Sequence, residues 1–112
     1  MNSTMTEQKF TLHVREFTTT PGPRFKEDGH YSGQEFREDY LLPRYLEAVK
    51  SGACLHVILK ATKGYASSFL EEAFGGLVRQ GYKKSEIRKH LKIHSNDRPW
   101  YEPEIYSYID EA

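Results

Sequence analysis

Residues 54–81 read CLHVILKATKGYASSFLEEAFGGLVRQG, and the fold turns on how they are parsed. Leu55–Leu59 is β-rich and largely apolar, the pattern of a buried parallel strand. Lys60–Tyr65 leads out of it. Ser68 and Glu71 have the spacing of a capping box, in which each side chain satisfies an orphan backbone donor at a helix start. Phe69, Leu70, Ala73, Phe74, Leu77 and Val78 recur at helical spacing and make one apolar stripe. Gly81 suits the stop. Gly75-Gly76 costs such a helix roughly 1 kcal/mol per glycine relative to alanine. Close approach of another backbone is the expected reason for accepting that cost.

Upstream, Phe10, Leu12 and Val14 alternate with Thr11 and His13, which predicts a half-buried strand. Residues 17–31, FTTTPGPRFKEDGHY, are a long loop. Pro21, Gly22, Pro23 and Gly29 exclude a continuous helix or central strand, leaving room for a short strand around Arg24–Lys26. A compact domain seldom keeps so long a connection without a use for it. Ser32 and Glu35 repeat the capping-box spacing, so a helix is predicted from Ser32. Phe36, Tyr40, Leu41, Leu46 and Val49 supply its apolar face, Pro43 kinks or restarts it, and Gly52 ends it.

Downstream, Ser85–His90 reads as a short helix and Leu91–His94 as a short strand. Asn96–Pro99 is a turn, and Pro103 suits the first turn of a last helix over Glu104–Ile109. The order β, α, β, α, β, α predicts the α/β class: a small mixed or mainly parallel sheet with helices packed on it. At 112 residues the chain is the size of one domain. That domain is expected over 9–112, after a flexible tail at 1–8.

Charge and composition narrow the function. Sixteen Lys plus Arg balance sixteen Asp plus Glu, so a general polyanion binder is disfavoured and nucleic acid is not an expected partner. The single cysteine, Cys54, allows no internal disulfide and fits a reducing compartment. No apolar run reaches the length of a membrane span, and Met1–Lys9 lacks an apolar signal core. A cytoplasmic location is expected.

The candidate sites start at the junction Gly64-Tyr65-Ala66-Ser67-Ser68. A helix N-terminus offers unpaired N–H groups and partial positive charge, so Ser67 and Ser68 mark a place for a phosphate, a carboxylate or a partner protein. The plain alternative is that Ser68 or Ser67 is only the cap. Tyr65 and Phe69 flank the pair and complete a possible contact surface. Arg24, in the stiff TPGPRF loop, presents a guanidinium fork for an anion, or else pairs internally with Glu27, Glu35 or Glu38. Arg24, Ser67 and Ser68 together are the anion-binding candidates. His90 and His94 lack a metal-ligand context, and Lys83, Lys84, Arg88, Lys89 and Lys92 read as a solvated basic face. No catalytic triad, P-loop or nucleophile elbow is present, and no cofactor is implied.

Three stretches carry a family resemblance: TPGPRF at Thr20–Phe25, DGHYSGQEFRE at Asp28–Glu38 and SSFLEEAFGGLVRQG at Ser67–Gly81. From Phe17 to Tyr82 the chain resembles the STAS-like domain family of unknown function found in bacteria and their phages. The resemblance implies similarity to anti-sigma-factor antagonists, small cytosolic regulators that bind a kinase-like anti-sigma factor. There the partner kinase phosphorylates a serine where a helix follows a central strand. Ser67 takes that serine's place, with Ala66 and Phe69 where those domains carry Asp and Gly. A non-enzymatic, regulatory protein-binding module is thus the leading expectation, its partner an ATP-binding protein of histidine-kinase-like fold. A nucleotide or small-anion binder and a phage-encoded inhibitor of a host defence complex are the alternatives.

Overall fold

The computed structural model describes residues 10–60 and 63–112. The expected tail at 1–8 lies outside them. Strand β1 is Thr11–His13. Helix α1 runs continuously through Gly33–Phe36, a π-helical turn at Arg37–Leu41, and Leu42–Lys50. Strand β2 is Leu55–Ile58. Helix α2 comprises Ser67–Leu70, a second π-helical turn at Glu71–Gly75, and Gly76–Arg79. Helix α3 (Lys84–His90), strand β3 (Leu91–His94) and helix α4 (Tyr101–Glu111) complete the chain.

The three strands form one parallel sheet in the order β1-β2-β3. Parallel neighbours need crossovers, which the helices supply. Leu12, Leu55, Val57, Leu91 and Ile93 point to one face and are buried. There they meet Phe36, Leu41 and Tyr45 of α1, Phe69, Phe74 and Leu77 of α2, and Ile105 and Ile109 of α4. The opposite face carries Thr11, His13, His56, Ile58, Lys92 and His94. Strand β2 is thus central, as its composition suggests, but buries only one face.

Both edges of this small sheet are closed by side chains. On β1 the outward Thr11 carbonyl accepts from Arg44 Nη1 at 3.2 Å, and the His13 amide donates to Glu16 Oε2 at 3.0 Å. On β3 the Tyr106 hydroxyl donates to the Leu91 carbonyl at 3.3 Å and accepts the Ile93 amide at 3.2 Å. An edge satisfied in this way is a poor template for a further strand.

The long loop has its use at the start of α1. No strand forms at Arg24–Lys26; the chain bends there and makes a short 3-10 turn at Lys26–Asp28. The loop carbonyls instead receive first-turn amides: Gly33 donates to Pro23 O and Gln34 to Arg24 O. Glu35 N donates to the Ser32 side chain and Phe36 N to the Ser32 carbonyl. The three first-turn amides without an intrahelical partner, those of Gly33, Gln34 and Glu35, are thus all met, and the Phe36 amide begins the helical ladder. Pro43 enters just after the π turn, at the start of a fresh α-helical stretch. Both long helices end in Schellman motifs: Gly52 N donates to Val49 O and Ala53 N to Ala48 O, and Gly81 N to Val78 O and Tyr82 N to Leu77 O.

Candidate functional site

The loops after the three strands gather at the C-terminal edge of the sheet, where open α/β sheets bind ligands and partners. They are tied to one another. Lys63 N donates to Thr19 O at 3.1 Å, joining the loop after β2 to the loop after β1. Tyr65 N donates to the Tyr101 hydroxyl at 3.1 Å, joining it to the segment after β3. The Tyr65 hydroxyl returns to Leu59 O at 3.1 Å. Gly64 stands at φ 144°, a conformation that favours glycine, beside the Arg98 guanidinium.

Aromatic rings underlie this edge. Tyr31 meets Phe17 edge-on at 5.7 Å, Phe17 meets Phe36 at 5.6 Å, and Phe36 stacks on Phe69 at 5.9 Å. The series continues from Phe69 to Tyr65 at 5.8 Å, to Tyr101 at 5.2 Å and to Trp100 at 5.8 Å. Its two ends are in solvent: Tyr31 is 46% exposed and Trp100 58%. Tyr31 holds φ at 58°, a left-handed conformation that a bulky residue adopts only where its surroundings enforce it.

The five sequence-predicted site residues fall into different roles. Ser67 is exposed at the first position of α2, and its side chain neighbours the Tyr108 phenol. Tyr108 in turn donates to Glu104 Oε2 at 2.7 Å, and burial holds its phenol above the ordinary value. Ser68 is half-buried and is not the cap: the cap position is Ala66, whose carbonyl accepts from Phe69 N and Leu70 N. The capping box fails because the helix begins two residues earlier, at Ser67 with Ala66 as its cap, and Glu71 is engaged elsewhere. Tyr65 is half-buried at the junction. Phe69 is fully buried between Phe36 and Tyr65, so it supports the surface from beneath and offers a partner no contact.

Arg24 reaches none of the acidic partners expected for it. Its Nη1 lies 2.5 Å from Glu71 Oε1 and 3.7 Å from Glu72 Oε1. Arg79 grips the same two carboxylates, at 2.6 Å to Glu71 and 3.3 Å to Glu72. Arg37, buried in α1, completes the cluster with 2.7 Å to Glu72 Oε2 and 2.5 Å to the Glu72 carbonyl. Hydrogen bonds from Arg79 and then Arg24 hold the Glu71 carboxyl below its usual range, against the opposing effect of burial. The glycine pair makes this possible. A side chain on Gly75 would meet the Glu71 carboxylate, and one on Gly76 would collide with the Arg37 guanidinium. Charged side chains therefore need the space expected to admit a backbone. The close backbone approach between α1 and α2 is instead at Gly33, which lies against the Phe69 carbonyl.

His90 and His94 are separated. His90 Nδ1 sits 2.8 Å from Ala53 O on the helical side, while His94 lies on the opposite sheet face. Part of the basic cluster is structural: Lys84 Nζ donates to Asp110 O at 2.7 Å, and Arg88 pairs with Asp110 at 3.3 Å while covering the Tyr106 ring. The sequence reading missed the pairing of His56 with His94. Alternation along two adjacent strands is the signal that places them on one face.

A family model described as a STAS-like domain of unknown function (DUF4325) matches residues 32–99, more than half of the chain. The chain belongs to this family. The match starts at the cap of α1 and runs through β3, so it takes in the junction and both π turns and leaves the TPGPRF loop outside. A STAS-like domain with a small parallel sheet under helices is what the chain forms. No curated protein and no solved structure matches it. Among the described residues, no helix is long and apolar enough to cross a membrane.

Proposed function

We propose that this STAS-like chain is a non-enzymatic, cytoplasmic regulatory module that docks another protein on the C-terminal edge of its sheet. The observation that carries this reading is the aromatic series that surfaces at Tyr31 and Trp100 on either side of the Gly64–Ser68 junction. Rigid, half-exposed aromatics beside an arginine such as Arg98 are the residue types that dominate binding energy at protein interfaces. The partner class implied by the STAS resemblance is an ATP-binding protein of histidine-kinase-like fold. Ser67, exposed at the junction, is the residue whose phosphorylation would alter docking: the phosphate would stand near Tyr108 and its partner Glu104 and repel the carboxylate. The anion-binding reading has less support, because Glu71 already neutralises Arg24.

The test places a photo-crosslinking side chain at position 100 and, separately, at Leu46, an exposed residue of α1. The protein captured at 100 is identified, purified and titrated against wild type and Trp100→Ala. The reading requires capture at 100 and not at 46, with affinity falling about tenfold or more in Trp100→Ala. Equal affinity for both, or capture at position 46 alone, removes it.

A further inference from the structure

We propose that His56 and His94 form a proton-sharing pair that acts as an acid-operated switch on the sheet face remote from the helices. The two lie diagonally on neighbouring strands, His56 opposite Lys92 and His94 opposite Ile58. Nδ1 of His56 and Nε2 of His94 are 2.8 Å apart. The ring centroids are 5.0 Å apart and the planes 27° from parallel. The nitrogens therefore lie near the line joining the ring centres, with an N–H on one ring facing a lone pair on the other. With Thr11 and Ile58 the pair lines an open depression of about 250 Å³.

Proton counting defines the switch. With both rings neutral, one donates its N–H to the other, and the donor's outer nitrogen is bare. A first proton goes to that outer nitrogen, so the bond persists and becomes charge-assisted. A second proton has only the accepting nitrogen left to occupy, directly opposite an N–H. The bond is then lost, two imidazolium charges face each other, and a ring must swing away. The groups sharing this environment are Lys92 opposite His56, His13 across Ile58 from His94, and Glu102 of α4. Burial first, then the charge of His56, hold His94 below its ordinary value, while Glu102 pulls the other way. Acid thus converts a neutral, hydrogen-bonded face into a cationic one along an open depression of the sheet.

The test follows the imidazole nitrogens of the full chain by NMR from about pH 8 to about pH 4.5. Two separate steps are expected for the pair, the second proton being taken up at the lower pH. His56→Gln should raise the His94 midpoint, His94→Gln should abolish the lower step, and His13→Gln should leave both in place. The proposal is overturned if His56 and His94 titrate with one common midpoint, or if either glutamine variant leaves the remaining histidine's midpoint unchanged. The two variants report on the pair from opposite sides, so one that fails to fold leaves the other decisive. None of these outcomes bears on partner docking at Trp100.

Discussion

Arg37 shows how one residue ties two helices together. The residue is 5% exposed, and its guanidinium lies over Gly76 and bonds both the carboxylate and the carbonyl of Glu72, itself only 7% exposed. Breaking a buried pair costs about 3–5 kcal/mol, and without Arg37 the Glu72 carboxylate keeps only Arg79 at 3.3 Å and Arg24 at 3.7 Å, which places the loss toward the lower end. Arg37→Ala should therefore lower the unfolding free energy by that order. Gly76→Ala should also destabilise in the wild-type background, since the new methyl displaces the guanidinium. In the Arg37→Ala background the three nearest atoms that the new methyl would meet are gone, and the same change gains helix propensity of about 1 kcal/mol. A double-mutant cycle by urea denaturation should thus find Gly76→Ala changing sign between the two backgrounds. If it costs the same in both, the glycine serves something other than the arginine.

Tyr106 plays a comparable part at the level of an element. One hydroxyl closes the outer edge of β3 by serving both the Leu91 carbonyl and the Ile93 amide. Tyr106→Phe keeps the ring under Arg88 and removes only that oxygen. The expected loss is about 1–3 kcal/mol for the unmet groups, together with faster hydrogen exchange at Ile93 and self-association at high concentration in sedimentation experiments. A variant that stays monomeric with Ile93 still protected would show the edge is guarded by other means. Much at this scale was legible in the sequence. The alternation around Leu12, the stripe from Phe69 to Val78, and Gly52 and Gly81 as helix stops each follow from local chemistry. What was hidden depends on partners distant in the chain. The Arg24–Glu71 pair spans 47 residues, so no local rule selects Glu71 over Glu27, Glu35 or Glu38. Ser68-x-x-Glu71 satisfies the capping pattern, yet Arg24 and Arg79 claim the glutamate and Ala66 takes the cap position. Ile58 and Leu59 made β2 look buried on both faces, because composition registers apolar content while only pairing register assigns a face.

For the whole molecule, these charges set the response to acid. Glu71 is held low first by Arg79 and Glu38 first by Lys26, each below the ordinary 4.5. His94 is held below the ordinary 6.5. A group whose folded pKa is depressed binds protons more readily when unfolded. Its contribution is full above the unfolded pKa and is lost as pH falls through the folded one. Lys26 and Arg79 shift upward, so what they contribute is complete throughout the acid range and is lost only in strong alkali. All the shifts therefore act in one direction on acidification. The urea midpoint should hold steady above about pH 7, decline as pH drops below 6.5 and the His94 contribution goes, and fall further below 4.5 as Glu71 and Glu38 are protonated. The Glu71 and Glu38 side chains are 23% and 31% exposed, so added salt should soften the lower decline more than the upper. His94→Gln should flatten the upper decline and leave the lower one intact. A midpoint that rises between pH 6.5 and 4.5 would contradict the sign assigned to His94, and with it the premise that the paired face resists its second proton.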